Sequence, residues 1–378
     1  MDAPELVVGN DNKRYNPESR EENMRKGGRL SALGAAVAAT WLAWSGPAAA
    51  QLVIEGETIA DAKTFDGAKA EGRLLAYGTY PADAMKPILA AFQKDTGVTV
   101  EYVRLPSLNM YQRITSEFAA KKLEADYVDL TDLPLVGQLM ERGILTVPFK
   151  TTSFDALPAP LKNPDGRWYS LVRPVGVIAV NRSRVADADM PKSWKDLLDP
   201  KWKGVIGTPS IDAGGSVLTL YSFLREKVDP DFAKKLAALS PRIYPAVAPL
   251  STDLARGEVA IGIGAIAEPV ALQMKAGAPL RVIFPREGIS SFPAAGGISS
   301  TAKHPNAAAL YLDWMTSRHG GNVIAKGGAY PANPGSDRPH LEGLDYPPAD
   351  QVWNLGLEEW TAEREPRMKE WRETFGIK

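Results

Sequence analysis

Extended apolar runs and amphipathic helical patterns alternate along this chain, and the alternation restricts the folds that it can adopt. Residues 73–79 (RLLAYGT) are typical of a strand, residues 81–97 of a helix closed by Gly97, and residues 98–105 (VTVEYVRL) of a second strand. A helix beginning at Ser107, the strand DYVDL and the helix LPLVGQLMERG continue the pattern. Successive strand–helix units predict open, largely parallel sheets flanked by helices, which is the α/β class.

Two extended runs divide this pattern into two blocks. Residues 168–180 (WYSLVRPVGVIAV) have no helical period, and residues 281–285 (RVIFP) close the second alternating block. We therefore predict two lobes connected by crossing strands. Lobe 1 comprises residues 51–172 and 286–378 and ends in a Trp-rich packing helix, and lobe 2 comprises residues 173–285.

The N-terminal region has the pattern of an export signal. Basic residues within 25–29 precede an apolar run that is short for a membrane span and that ends in SGPAAAQ. A basic segment, an apolar segment and small residues before a cut are typical of a secretory signal, here cleaved between Ala50 and Gln51. We interpret residues 1–50 as a leader and signal, with a single membrane anchor as the alternative. The start is Met1 or Met24.

Composition excludes several classes of function. The formal net charge is −1, from 44 Lys and Arg and 45 Asp and Glu, which argues against nucleic acid as a partner. The chain has no Cys, which excludes disulfides, thiolate metal sites and cysteine nucleophiles. Its three His residues are widely spaced, and no GxSxG motif accompanies them. We therefore predict no catalytic group, no metal and no cofactor, so a periplasmic hydrolase or transferase is a minor alternative.

Four segments resemble periplasmic substrate-binding proteins of ABC importers, in the branch with ferric-iron, polyamine, thiamine and phosphonate binders: PKSWKDLLDPKWKGVIGTPS, LARGEVAIGIG, GGISSTAKHPNAAALYLDWM and GGAYPANP. The resemblance covers nearly the whole chain after the signal. It implies a two-lobed, type II-like periplasmic-binding-protein fold, each lobe a mixed, mostly parallel sheet flanked by helices. It also implies a periplasmic monomer that closes on a small molecule and delivers it to an inner-membrane ABC permease. A ligand sensor with the same fold is an alternative.

The segment TPSIDAGGSV at residues 208–217 is our first candidate for ligand contact. Gly214 and Gly215 permit close approach of the backbone, Ser216 offers a hydroxyl, and the following helix presents free N–H groups. This combination favours a seat for an anion such as a phosphonate, a phosphate ester or a carboxylate. An ordinary helix cap after a glycine turn is the alternative.

The facing lobe is expected to contribute residues at strand ends, where ligands of open α/β folds bind. These candidates are Thr79, Tyr80, Ser107, Thr131 and Asp132. Each of them also suits the role of a cap or turn residue.

Three further residues complete the prediction. Glu268 at a helix start would receive an ammonium group, which with the anion seat points to a zwitterion; interaction with the helix dipole is the alternative. Tyr330 in GGAYPANP would contact the ligand from the hinge side or pack there. Arg173 in the first extended run would pair with an anion or with a carboxylate of the protein.

Ferric iron is the alternative ligand. In the resemblance, iron-binding members carry two adjacent tyrosines after the strand VAIGIG, and phenolates are donors suited to a ferric ion. That position falls here at Ala267 and Glu268, so the tyrosine pair is missing. An iron site would have to use Tyr80, Glu268 and Tyr330 instead.

Overall fold

The computed structural model describes residues 51–341, 343–355 and 357–377. The predicted leader and secretory signal lie outside the described residues, so the cleavage after Ala50 stays a prediction. Within the described ranges, every helix is too short or too polar to serve as a membrane span.

The described residues form strands and helices in alternation. The strands are β1 (Leu52–Ile54), β2 (Glu57–Ala60), β3 (Arg73–Gly78), β4 (Thr99–Arg104), β5 (Tyr127–Leu130), β6 (Tyr169–Arg173), β7 (Val175–Asn181), β8 (Ile206–Pro209), β9 (Arg242–Tyr244), β10 (Ile261–Ile266), β11 (Leu280–Ile283), β12 (Ile289–Ser291), β13 (Ala294–Ile298), β14 (Tyr330–Pro331) and β15 (Val352–Trp353). The α-helices are α1 (Ala62–Glu71), α2 (Ala82–Thr96), α3 (Ser107–Ala119), α4 (Leu133–Glu141), α5 (Gly215–Phe223), α6 (Phe232–Ala238), α7 (Val247–Arg256), α8 (Ala267–Lys275), α9 (Pro305–Thr316), α10 (Arg318–Lys326) and α11 (Leu357–Phe375).

The strands assemble into two mixed sheets and a separate β1–β2 hairpin. The first sheet has the order β14-β6-β13-β5-β3-β4, and the second has the order β15-β12-β7-β10-β8-β9 with β11 also paired to β7. Strands joined through helices are parallel, as in β3–β4 and β8–β9, whereas β6, β7 and β13 pair antiparallel with their neighbours. We call the first sheet with its helices the first lobe and the second sheet with its helices the second lobe. The predicted α/β class and two-lobed fold are confirmed.

Two crossings connect the lobes. The chain leaves the first sheet at Pro174, between β6 and β7, and returns at residues 292–293, between β12 and β13. The backbone N–H of Phe292 donates to the carbonyl oxygen of Pro174 at 3.3 Å, so the two crossing segments are hydrogen-bonded to each other. This pair of segments is the hinge region of the fold.

The return crossing differs from the expected position at residue 285. β11 pairs with residues 178–181 of β7, and β12 pairs with residues 175–176 of the same strand. The run RVIFP is therefore the first half of an interrupted edge strand in the second sheet, and the chain crosses only after β12. Strand β15, from the C-terminal tail, pairs with β12 and also joins the second sheet.

The C-terminal tail contains the predicted Trp-rich helix, but its packing differs from the prediction. Helix α11 contacts α4 of the first lobe as well as α5 and α6 of the second. Trp360 and Trp371 are both buried. The helix therefore bridges the two lobes instead of covering the first lobe alone.

A third correction concerns residues 304–321 (HPNAAALYLDWMTSRHGG), whose apolar residues have a helical period. The pattern predicts one helix that ends before Gly320, whereas the structure has two helices, α9 and α10, separated at Ser317. The Ser317 side chain accepts a hydrogen bond from the N–H of Gly320 at 2.9 Å and caps α10. A Cβ at Gly320 would lie 1.9 Å from the carbonyl oxygen of Trp314, so this glycine permits the start of α10 to pack closely against the end of α9.

Candidate ligand-binding site

A cavity of about 350 Å³ lies between the two lobes. The first lobe lines it with residues at the ends of β3, β4 and β5 and at the starts of α2 and α3. The second lobe contributes the starts of α5, α7 and α8, and Phe292 contributes from the hinge. Five of the ten predicted contact residues line this cavity: Thr79, Tyr80, Ser107, Thr131 and Ser216.

Five helices begin at the wall of this cavity, and none has a side-chain cap. The residues that precede α2, α3, α5, α7 and α8 make no capping hydrogen bond through a side chain; they are Pro81, Pro106, Gly214, Ala246 and Ile266. The first N–H groups of a helix have no partner within the helix, and the helix dipole adds partial positive charge there. Convergence of these ends gives the cavity the electrostatic character of an anion site.

Arg104 adds a full positive charge at the end of β4. Its Nε donates to the carbonyl oxygen of Thr79 at 3.3 Å, and it forms no ion pair within the described part of the chain. Asp83 in the first turn of α2 also lines the cavity, and it is exposed to solvent. The guanidinium of Arg104 therefore has donors left for an anionic group in the cavity.

Two polar side chains of the second lobe complete the lining. The Ser216 hydroxyl makes no hydrogen bond to any described residue, so it is free to donate to a ligand. The Oε1 atom of Gln273 on α8 is buried and has no hydrogen-bond partner among the described residues. A buried unpaired acceptor is costly, and a ligand hydroxyl or N–H group would satisfy it.

The predicted residues of the first lobe form a connected scaffold. The Thr79 hydroxyl donates to Oδ1 of Asp129 at 2.6 Å and its N–H donates to the same oxygen at 2.9 Å. Burial raises the pKa of Asp129 to about 6, although these two bonds oppose the shift. Thr131 donates its N–H to Oγ of Ser107 at 3.2 Å, which ties the end of β5 to the start of α3. These hydrogen bonds of Ser107 and Thr79 therefore fix the backbone at the ends of β5 and β3, at the cavity wall.

Gly214 and Gly215 lie where the two lobes touch. A Cβ at Gly215 would be 2.0 Å from the carbonyl oxygen of Thr131 and 2.6 Å from Cζ2 of Trp360. Gly214 has φ +131°, which other residues rarely adopt. The glycines thus permit lobe contact beside the cavity, whereas the expectation was direct contact with an anion.

Asp132 lies outside the inter-lobe cavity and makes an ion pair. Its Oδ2 accepts a hydrogen bond from Nε of Arg364 on α11 at 2.9 Å, and both side chains are largely buried. Burial raises the pKa of Asp132, and the Arg364 guanidinium opposes that shift. The structure therefore joins Asp132 to the bridging helix, in contrast to the expected ligand contact.

Glu268 is buried behind the cavity wall in the first turn of α8. Neither of its carboxyl oxygens reaches hydrogen-bond geometry with a described residue. Burial raises the pKa of Glu268 to about 8, so the carboxyl group is largely protonated at pH 7. Burial and the nearby Glu268 also raise the pKa of Tyr80 well above its usual value. A neutral, buried Glu268 does not suit the expected role of receiving an ammonium group.

Replacement of Glu268 by glutamine tests this protonation state. The pKa of Glu268 in the folded protein lies above its ordinary value of 4.5, so the folded state binds the extra proton between pH 4.5 and about 8. The stability of the wild type therefore falls as pH rises through this window. At pH 8.5 we expect Glu268→Gln to raise the free energy of unfolding by about 2–4 kcal/mol, and at pH 4.5 by little. Urea denaturation at both pH values measures this; an equal effect at both would contradict the assignment.

Tyr330 lines a different cavity. It belongs to β14, its hydroxyl donates to the carbonyl oxygen of Pro347, and Arg173 lies 5.8 Å from its ring. Both Tyr330 and Arg173 line a second cavity, which shares no lining residue with the inter-lobe cavity. The expected contact of Tyr330 with the inter-lobe ligand is therefore not part of this geometry.

Sequence reasoning missed Arg104, Gln273 and the start of α7. Arg104 is the last residue of the strand VTVEYVR. The strand-end criterion that selected Thr79 and Thr131 would therefore also have selected Arg104. The start of α7 carries no Ser, Thr, Asp or Asn at its cap, because Ala246 occupies that position. Only the tertiary structure brings Gln273 to the cavity.

The described residues contain no cluster of three or more His, Asp or Glu side chains suited to a metal ion. Ala267 follows β10 directly and is the first residue of α8. The two positions expected for an iron-binding tyrosine pair therefore lie in the first turn of a helix. The residues there are Ala267 and Glu268.

Comparison with known proteins identifies the family. The profile of a family described as bacterial extracellular solute-binding protein matches residues 124–351, which is more than half of the chain. The Fe(3+)-binding periplasmic protein of Serratia marcescens is 23% identical over 271 residues, covering 70% of this chain and 79% of the relative.

Two solved structures have the same fold. The periplasmic binding protein AfuA of Actinobacillus pleuropneumoniae, with exogenous fructose-6-phosphate bound, gives a TM-score of 0.67 at 22% identity and covers 82% of this chain and 100% of AfuA. Iron-bound HitA of Pseudomonas aeruginosa gives a TM-score of 0.63 at 21% identity, covering 79% of this chain and 99% of HitA. The family match, together with the two-lobed fold, shows that this chain belongs to the bacterial extracellular solute-binding proteins.

Proposed function

We propose that this protein is the periplasmic receptor of an ABC importer and that it captures a small phosphate ester by closing its lobes. The observation that carries the proposal is the convergence of five uncapped helix starts on one cavity beside Arg104. These groups are donors and partial positive charges, which complement a phosphate group. AfuA, which has the same fold, was solved with fructose-6-phosphate bound.

The remaining lining suits the organic part of such a ligand. Gln273 presents an unpaired acceptor and Ser216 a free hydroxyl, and both can bond to sugar hydroxyls. The neutral Glu268 offers no charge for an ammonium group, so a phosphate ester fits better than an aminophosphonate. We expect the protein to act as a monomer that passes its ligand to an inner-membrane permease, without catalysis.

Ferric iron is a second candidate because the Serratia relative is named for it. In this chain the nearest approach to an iron site is the unpaired carboxyl group of Glu268 close to Tyr80 and Tyr346. Burial keeps both phenols and the carboxyl group protonated at neutral pH, which opposes metal binding until three protons are released.

A thermal-shift and calorimetry panel distinguishes these candidates. The protein is unfolded, stripped of bound ligand and refolded, and then titrated with fructose-6-phosphate, fructose, inorganic phosphate, 2-aminoethylphosphonate, ferric citrate and citrate. A ligand at about 100 times its dissociation constant stabilises the protein by about 2.7 kcal/mol. We expect fructose-6-phosphate to raise the Tm of the protein and fructose to leave it unchanged. A response to ferric citrate but not to citrate would reject the phosphate ester and identify an iron receptor.

Arg104 provides a test at the level of one residue. We expect Arg104→Met to weaken binding of fructose-6-phosphate by about 10- to 100-fold, because a hydrogen bond to a charged group contributes about 1.5–3 kcal/mol. Arg182→Met is the matched control, since Arg182 pairs with Asp187 on the surface of the second lobe. Calorimetry gives both dissociation constants, and equal affinities in the two variants would exclude Arg104 from the site.

A further inference from the structure

A second cavity, of about 1000 Å³, lies against the hinge and shares no lining residue with the inter-lobe cavity. Helix α4, the loop of residues 158–164 and the chain from β14 to residue 338 enclose it, together with Pro348, Ala349, Asn354 and Leu355. Phe292 lines the inter-lobe cavity and the next residue, Pro293, lines this one. The returning crossing segment therefore contributes to the walls of both cavities. We call the second one the hinge cavity.

Arg173 lies in the wall of the hinge cavity and forms no ion pair with any described residue. Its Nε atom is buried and has no hydrogen-bond partner, and the one hydrogen bond from its side chain to the described residues joins Nη2 to the carbonyl oxygen of Pro331 at 3.4 Å. The Tyr330 ring, 5.8 Å from the guanidinium carbon, is a weak partner. Burial lowers the pKa of Arg173, which reflects the cost of a poorly compensated charge.

Arg364, in contrast, is a largely buried arginine that pairs with a carboxylate of the protein. It lies between the lobes, and its Nε meets the buried Oδ2 of Asp132 at 2.9 Å. Arg173 has no carboxylate within 4 Å in the described part of the chain. Since buried charges in folded proteins are generally paired, an anionic ligand would complete the environment that the described residues leave around Arg173.

The rest of the lining defines the class of that anion. Lys162, Arg173 and Arg338 line the hinge cavity, and Asp337 is the one acidic residue among the described residues of its wall, so these charged groups sum to +2 (three minus one). Lys162 already donates to the carbonyl oxygen of Phe154. Most of the wall is apolar and is formed by prolines together with Leu133, Met140, Trp168 and Leu355. A cavity with apolar walls and few convergent polar groups is typical of a site for a small organic molecule.

We propose that the hinge cavity is a second ligand site, which binds an organic monoanion with an apolar body and pairs its anionic group with Arg173. Arg173 is the last residue of β6, directly before the crossing at Pro174, and Pro293 belongs to the other crossing. A ligand in this cavity therefore contacts both segments that connect the lobes.

Octanoate and its neutral counterpart methyl octanoate test the proposal by calorimetry. We expect the wild type to bind one octanoate per chain about tenfold or more tightly than the ester, because only the carboxylate forms charge-assisted hydrogen bonds. In Arg173→Met, the affinity for octanoate should fall to that for the ester. Saturating fructose-6-phosphate should not displace octanoate, since the two cavities are separate.

Gly137 supplies a second variant that does not disturb Arg173. A Cβ at Gly137 would meet no atom within 4 Å, and the residue lies in α4 at the wall of the hinge cavity. Gly137→Leu should occupy part of the cavity and weaken octanoate binding with an unchanged or higher Tm, because leucine is the better helix former. Gly137→Ala is the matched control and should bind as the wild type does.

Three results would overturn the proposal. They are the absence of saturable octanoate binding by the wild type, undiminished binding by Arg173→Met or Gly137→Leu, and displacement of octanoate by fructose-6-phosphate. The last result would assign octanoate to the inter-lobe cavity.

Discussion

Alanine in place of Gly215 is expected to weaken ligand binding about 100-fold, which corresponds to about 3 kcal/mol. The added Cβ would lie 2.0 Å from the carbonyl oxygen of Thr131 in the facing lobe, a distance that no relaxed contact permits. The lobes must therefore stay further apart, and the ligand loses simultaneous contact with both. When the binding-competent state is less populated, the apparent affinity falls by the same factor.

Gly137→Ala controls for the effect of alanine itself. Both changes add one methyl group to a helical glycine, but at Gly137 the methyl group meets no atom within 4 Å. Calorimetry with fructose-6-phosphate should give a wild-type dissociation constant for Gly137→Ala and a greatly raised one for Gly215→Ala. If Gly215→Ala binds as tightly as the wild type, lobe contact at this point is not needed for capture.

Among the single variants proposed for this protein, Arg364→Met is expected to cause the largest loss of stability. In Arg364→Met, Asp132 loses its ion-pair partner while only 4% of its side chain is exposed. Breaking a buried ion pair from one side costs about 3–5 kcal/mol, because the remaining charge is uncompensated. In a protein of this size, such a loss should lower Tm by roughly 6–20 °C, at about 2–4 °C per kcal/mol.

The double variant Asp132→Asn/Arg364→Met distinguishes the effect of losing the ion pair from the effect of losing the packing of the Arg364 side chain. With the carboxylate removed as well, the free energy of unfolding should return toward that of the wild type, so the two single effects should not add. Arg367 serves as the control on the same helix, because it pairs with Glu226 and Glu363, which are more exposed. Additive effects of the two single variants would show that Asp132 and Arg364 act independently.

Helix α11 gives this ion pair a role beyond stability. Arg364 joins the helix to the first lobe through Asp132, and Arg372 joins it to the second lobe through Asp212. Trp360 packs next to Gly215, at the point where the lobes touch. The helix therefore contributes to the contact between the lobes, and variants that loosen it are expected to change ligand affinity as well as Tm.

The α/β class, the two lobes and the first crossing follow from local patterns in the sequence. Apolar runs of strand length, helical stripes and a glycine such as Gly97 at a helix end depend on residues close together in the chain. The same reasoning identified Ser107, Thr131 and Ser216, because helix starts and strand ends can be read from the sequence. All three residues line the inter-lobe cavity.

Pairing over long distances in the chain could not be read in this way. The partners Asp132 and Arg364 are separated by 232 residues, and nothing near either one indicates the other. RVIFP has the pattern of a strand, but only its pairing with β7 shows that it continues into β12 before the chain crosses. Likewise Glu268 has the pattern of an exposed helix start, whereas packing of Tyr80 and Tyr346 around it makes it buried and neutral.

The sequence by itself therefore determined the α/β class and most of the elements whose ends line the inter-lobe cavity, because periodicity is a local property. The tertiary structure decided which of these ends meet and which side chains stay unpaired. It brings five uncapped helices to one cavity, assigns Asp132 to α11, and places Arg173 in a separate cavity with no acidic partner among the described residues. The physical reason is that the desolvation and pairing of charges depend on all the surrounding elements at once.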